Sequence, residues 1–146
     1  MCVWDRDKTF AMKLPACDNY NKTRHPKKVV LEKSFAGVAA GKTLFIGTPQ
    51  IVADYIGKIP AGETMSVRKL RNRIARNRRC DAMCPVSTAI FLRIVAEYAI
   101  EEMANGKDDC QVIPFWRVID ADDKIARKLP IDRQWIAAQR AAEASG

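Results

Sequence analysis

One histidine, His25, is all that the 146 residues contain, and that scarcity narrows the chemistry. A structural zinc site wants four ligands in paired spacing. The five cysteines (Cys2, Cys17, Cys80, Cys84 and Cys110) are odd in number, and only Cys80 and Cys84 lie close. No metal or other cofactor is expected. The same irregular spacing suits a reducing compartment better than a disulfide framework. Long apolar runs are missing too: none reaches about 18 residues, so no membrane span is expected. Between Met1 and Phe10, the charged residues Asp5, Arg6, Asp7 and Lys8 stand where a signal peptide needs an apolar stretch. The expectation is a cytoplasmic chain, nucleoid-associated in a bacterium, with no membrane partner.

What is present is a sizeable apolar fraction, 48% of residues, and a net charge of +8. The first suffices for one core at this length. The second points to an anionic partner. Residues 1–33 read as an N-terminal extension: polar and turn-forming residues crowd Pro15 to Pro26, and only Lys27 to Leu31 offers a short strand. Residues 34–146 read as the domain.

Helix signals punctuate that domain, and a second short strand is expected at Thr43 to Ile46. Thr48-Pro49 opens a first helix, since threonine caps free N–H groups and proline suits the first helical position. Ile51, Val52, Tyr55 and Ile56 share one of its faces, and Ile59-Pro60-Ala61-Gly62 ends it with a turn. Ser66 caps a second helix with a buried stripe of Val67, Leu70 and Ile74, which frays into a polar loop from Asn77 to Met83. A third runs from Cys84-Pro85 to about Asn105-Gly106. Gln111 to Ile113 reads as a short extended segment. Val118-Ile119 and Lys124-Ile125, flanking the turn Asp120 to Asp123, are expected to form a small hairpin, or wing. Asp132 caps a final helix. The fold class is mostly α with small β elements.

From Arg68 to Arg79 there is no acid at all. Arg68, Lys69, Arg71, Arg73, Arg76, Arg78 and Arg79 carry seven positive charges on one short helix. Like charges at i,i+4 repel by a few tenths of a kcal/mol per pair, a cost that phosphates would remove. Arginine predominates, which favours bidentate contacts to phosphate or base edges. The competing reading is a solvated face neutralised from elsewhere in the fold, with Glu97, Glu101 and Glu102 as the suppliers. A basic helix, a turn and a second helix opening with Pro85-Val86-Ser87-Thr88 also follows helix-turn-helix order, which adds Ser87 and Thr88 to the DNA-binding candidates.

Three stretches together resemble the DNA-binding domain of the methylated-DNA–protein cysteine methyltransferases, the alkylguanine alkyltransferases. Ile59-Pro60-Ala61-Gly62-Glu63-Thr64 is similar to the turn before that family's helix-turn-helix. Ile113 to Ile119, IPFWRVI, is similar to its active-site loop I/V-P-C-H-R-V-I/V. Arg133-Gln134-Trp135-Ile136 resembles the start of its closing helix. The order agrees over about residues 43–142, and the resemblance implies a winged helix-turn-helix domain that binds double-stranded DNA.

The departures carry the functional expectation. The family's thiolate attacks an alkyl carbon and is activated through a histidine and a carboxylate. Those three positions hold Phe115, Trp116 and Gln134. The resemblance therefore implies a non-enzymatic, alkyltransferase-like protein that senses alkylated bases for DNA repair, with repair proteins as further partners and no small-molecule substrate. Phe115, Trp116 and Arg117 would line its pocket. For Trp116, stacking on an extruded base and core packing both stand open; for Phe115, packing is favoured. Arg117 is expected to pair with Asp120, Asp122 or Asp123. The arginine that fills the gap of a flipped base falls at Thr88, and the tyrosine that turns its phosphate falls at Val67; neither residue can do that work.

Three other readings compete. One is a winged-helix regulator or architectural protein without lesion recognition. Another is a protein-interaction domain whose basic helix meets an acidic partner. The last is a cysteine enzyme using Cys84, which stands where a helix N-terminus and nearby cations favour a thiolate; a buried structural cysteine is the expectation there.

Overall fold

The computed structural model describes residues 15–145. It is mostly helical with one small sheet: α1 (Ala16–Asn21), β1 (Lys27–Val30), β2 (Thr43–Ile46), α2 (Pro49–Gly57), α3 (Val67–Asn77), β3 (Ala82–Met83), α4 (Pro85–Ala104) and α5 (Arg133–Ser145). Short 3-10 turns occupy Asp109–Gln111, Phe115–Arg117 and Ala126–Lys128.

The helix starts follow local chemistry. Thr48 accepts from the Ile51 N–H at 3.2 Å and Ser66 from the Lys69 N–H at 3.1 Å. Asp132 accepts from the Gln134 N–H at 2.9 Å, satisfying first-turn donors that would otherwise lack partners. α4 is the central element. Its buried residues, among them Phe91, Leu92, Val95, Ala96, Ala99 and Ile100, lie all round the helix. That fits a helix enclosed on several sides.

The sheet runs in the order β1-β2-β3. β1 pairs antiparallel with β2, with Lys27 opposite Ile46 and Val30 opposite Thr43. β3 pairs parallel with β2, with Leu44 opposite Ala82 and Phe45 opposite Met83. β3 falls inside the stretch read from the sequence as polar loop.

Residues 15–33, read as an extension, belong to this body. β1 is a sheet strand, and α1 lies on α4, where Tyr20 stacks on Tyr98 at 4.2 Å between ring centroids. The Glu101 carboxylate accepts from the Ala16 and Cys17 N–H groups at 2.8 and 3.2 Å. The boundary drawn at 33/34 thus falls inside the β1–β2 connection. Residues 1–14 of that extension lie outside the described residues.

No hairpin forms at 118–125. Asp123 accepts from the Asp120 N–H at 2.8 Å, closing the turn, and the chain passes into the 3-10 turn at Ala126. Val118 and Ile119 are core residues rather than one arm of a wing. Gln111 likewise closes a 3-10 turn capped by Asp108 instead of opening an extended segment. The antiparallel hairpin of this fold is β1–β2. Beyond its strands, Leu31 donates to Lys42 O and accepts from the Gly41 N–H, and Phe35 and Val38 exchange both backbone hydrogen bonds. Ala36 and Gly37, at φ 49° and 84°, make the two-residue tip typical of tight hairpins.

Candidate nucleic-acid interface

α3 lays its stripe of Leu70, Ile74 and Ala75 into the core, which fixes where its cations stand. At about 100° per residue, Lys69, Arg73 and Arg76 share the face opposite that stripe, and all three are exposed. Arg68 is exposed on one flank and Arg79 just past the C-terminus. Arg71 and Arg78 are half-buried. The Arg78 guanidinium sits over the Phe45 ring at 5.4 Å, and the Arg71 Nε is buried without a hydrogen-bond partner among the described residues. Arg71 therefore does not share the outer face of Arg73 and Arg76.

Among the described residues, no carboxylate pairs with any of the seven cations; the ion pairs are Arg93–Glu97, Lys107–Glu102 and Arg117–Glu143. The three acids that could have neutralised α3 are committed elsewhere. Glu97 holds Arg93 at 3.2 Å, Glu101 caps α1 and Glu102 holds Lys107. Burial pushes the Glu97 carboxyl above its ordinary range, and Arg93 pulls part of the way back.

Backbone strain gathers at the same surface. Among the described residues, Ala36 and Arg79 are the two non-glycine residues with positive φ. Arg79, at φ 57°, ends α3 in a Schellman turn: its N–H bonds Arg76 O at 3.1 Å, and the Cys80 N–H bonds Ala75 O at 2.9 Å. Glycine is the usual residue there. An L-residue in the left-handed region loses about 1–2 kcal/mol, while glycine gives back roughly 0.5–1 kcal/mol of chain entropy. Arg79→Gly is therefore expected to raise the thermal midpoint by about 1–3 °C while reducing the salt slope of duplex binding by about 1. Calorimetry and a salt titration check the two halves separately.

Ser87 and Thr88 do not join this surface. Thr88 is fully buried at 0% exposure, and its hydroxyl donates to Cys84 O at 2.6 Å within α4. Ser87 is half-buried, and its hydroxyl donates to the same carbonyl at 3.4 Å. Exposed Val86 and Ile90 are the neighbouring side chains on the outer side of α4. Cys84 is buried at the start of α4, where a substrate would not reach its thiol. Among the described residues, no group of three or more His, Cys, Asp or Glu side chains is gathered to hold a metal.

Phe115, Trp116 and Arg117 form a packed corner. Phe115 and Trp116 are 0% and 1% exposed, so neither presents a ring to a base. Their rings meet edge to face at 5.4 Å, and Trp135 of α5 closes the cluster at 6.0 Å from Phe115 and 5.5 Å from Trp116. The three rings pack on one another instead of lining a pocket.

Arg117 ties this corner to α5. It pairs with Glu143 at 2.7 Å rather than with an aspartate of the 120–123 turn, and its Nη1 donates to Ile59 O at 2.7 Å. Its own carbonyl accepts from the Met65 N–H at 2.8 Å. The 59–64 turn, the 113–119 loop and α5 thus converge on one residue. Gly62, at φ 89°, approaches so close to α5 that a Cβ would lie 3.2 Å from Glu143 O.

Arg117 holds the Glu143 carboxyl below the ordinary glutamate range. The Trp116 indole N–H also approaches Glu143 but falls short of hydrogen-bond geometry. A depressed carboxyl contributes stability above its unfolded pKa and loses it as pH falls through the folded value. With both side chains 15% exposed and one oxygen acceptor retained, Glu143→Gln is expected to cost about 1–2 kcal/mol at neutral pH. The gap between wild type and Glu143→Gln should close on acidification below the ordinary glutamate range. Denaturant melts across that window check the sign.

Set against models of protein families, curated proteins and solved structures, the chain matches none.

Proposed function

We propose that this chain is a non-catalytic protein that binds double-stranded DNA through α3, and that it does so without reading an alkylated base. The observation that carries the proposal is the unmatched charge: seven cations within twelve residues have no carboxylate partner among the described residues, while Glu97, Glu101 and Glu102 are occupied elsewhere. Phosphates relieve that repulsion, and each contact releases counterions.

The resemblance to the alkyltransferases, which spans about residues 43–142, supports a helix-turn-helix docking mode with α3 and α4 as the helical pair; in place of a wing at 118–125, the β1–β2 hairpin brings its tip beside α3. Lesion sensing asks for a cavity that accepts an extruded base. Phe115, Trp116 and Trp135 fill the place where the family keeps its reagent, which favours the role of a regulator or architectural protein on undamaged DNA. The absence of the family's thiol, imidazole and carboxylate at 115, 116 and 134 supports a role without alkyl transfer.

The test is binding to a duplex of about two helical turns, with and without one alkylated guanine. Affinities equal within about twofold are expected. A preference of about tenfold or more for the alkylated duplex would return the protein to lesion sensing.

A further inference from the structure

We infer that the tip of the β1–β2 hairpin is a second prong of the interface, and that Phe35 is a wedge entering a base step of the bound duplex. The inference rests on the reading of α3 as the duplex-binding face and names what lies beside it. Ala36, Gly37 and Val38 form one wall of a cleft of about 420 Å³ whose other wall includes Arg68, Arg71 and Asn72.

Phe35 and Val38 are a directly bonded cross-strand pair, so their side chains lie on the same face of the hairpin. Val38 lines the cleft, and Phe35 beside it is 45% exposed. An aromatic ring held at the end of a tight turn is ready-made for partial intercalation, since apolar wedges unstack base steps and kink the duplex. The hairpin carries Lys27, Lys28, Lys33 and Lys42 against the single acid Glu32, so its charge suits a polyanion. Arg68 and Arg71 line the cleft beside the tip, so two cationic side chains stand next to the strand that the wedge would kink.

Phe35→Ala and Phe35→Leu separate the possibilities, with duplex bending read by energy transfer between end labels. Wild type and Phe35→Leu are expected to bend the duplex. Phe35→Ala is expected to leave it straight at saturation, with affinity lower by about tenfold, the worth of one base stack. A duplex left straight by the wild type, or bent equally by Phe35→Ala, would overturn the wedge. So would a free protein that is dimeric and becomes monomeric in Phe35→Ala, because exposed Phe35, Val29 and Val30 would then be a self-association patch. Lys69→Glu/Arg73→Glu/Arg76→Glu keeps the two readings apart. If it binds like wild type, the α3 reading fails. If it abolishes binding while Phe35→Ala still bends DNA, only the wedge fails.

Discussion

Reversing the outer face of α3 in Lys69→Glu/Arg73→Glu/Arg76→Glu is expected to lower duplex affinity by at least a thousandfold at about 50 mM salt. The size follows from counterion release. Each phosphate contact contributes roughly 0.9 to the slope of log affinity against log salt, and so about one decade at that salt. Removing three contacts takes away about three decades before any repulsion from the new carboxylates is added. Stability should change little, because the like-charge pairs 69/73 and 73/76 turn from cation–cation into Glu–Glu at a similar cost of a few tenths of a kcal/mol each. The three side chains are exposed, so no core packing is lost. A variant that melts no lower than wild type yet fails to bind would place the effect at the interface rather than in the fold. Unchanged affinity for DNA, with loss of affinity for an acidic protein, would favour the protein-interaction reading.

The largest stability effect is expected at Trp116. Its ring is 1% exposed, wedged between Phe115 and Trp135. Its carbonyl accepts from the Arg140 Nε at 2.6 Å. Trp116→Ala should cost about 3–5 kcal/mol through lost burial and the cavity left behind, or roughly 10 °C in thermal midpoint. Binding by the protein that remains folded should change less than about threefold, because nothing in the cluster reaches solvent to touch DNA. Trp116→Phe should be far milder: it keeps an aromatic ring and removes an indole N–H that has no hydrogen-bond partner among the described residues. A base-stacking role predicts the reverse pattern, with binding lost and stability nearly intact.

Much of the helical frame was legible because helix ends are local events. Thr48-Pro49, Ser66, Pro85 and Asp132 each announce a start within a few residues, and the structure begins α2, α3, α4 and α5 at those places. β1 and β2 were legible as strands. Their pairing was not, nor was β3, since a two-residue strand meeting β2 across nearly forty residues leaves no periodic trace. The hairpin was misplaced for a related reason. Val118-Ile119 before an aspartate-rich turn reads equally well as a strand end or as a buried elbow, and only packing decides.

Of the site, the charge was legible and its distribution only partly so. Leu70 and Ile74 orient α3, but Arg71 lines a cleft shared with the 36–38 tip, a neighbour distant in sequence. Thr88 stands at a contact position of the helix-turn-helix order, but a threonine inside a helix can instead return its hydroxyl to the carbonyl four residues back, as it does to Cys84 O. Arg117 had three aspartates close in sequence, yet its partner comes from α5, 26 residues away. Sequence proximity is a weak guide to ion pairing once helices fold back on one another.

The most direct measurement is the affinity of the wild-type chain for a plain duplex across a range of salt concentrations. With Arg68, Lys69, Arg73, Arg76 and Arg79 exposed and unpaired among the described residues, log affinity should fall against log salt with a slope of about −4 to −5. A slope no steeper than about −1, or no binding at low salt, would contradict the account.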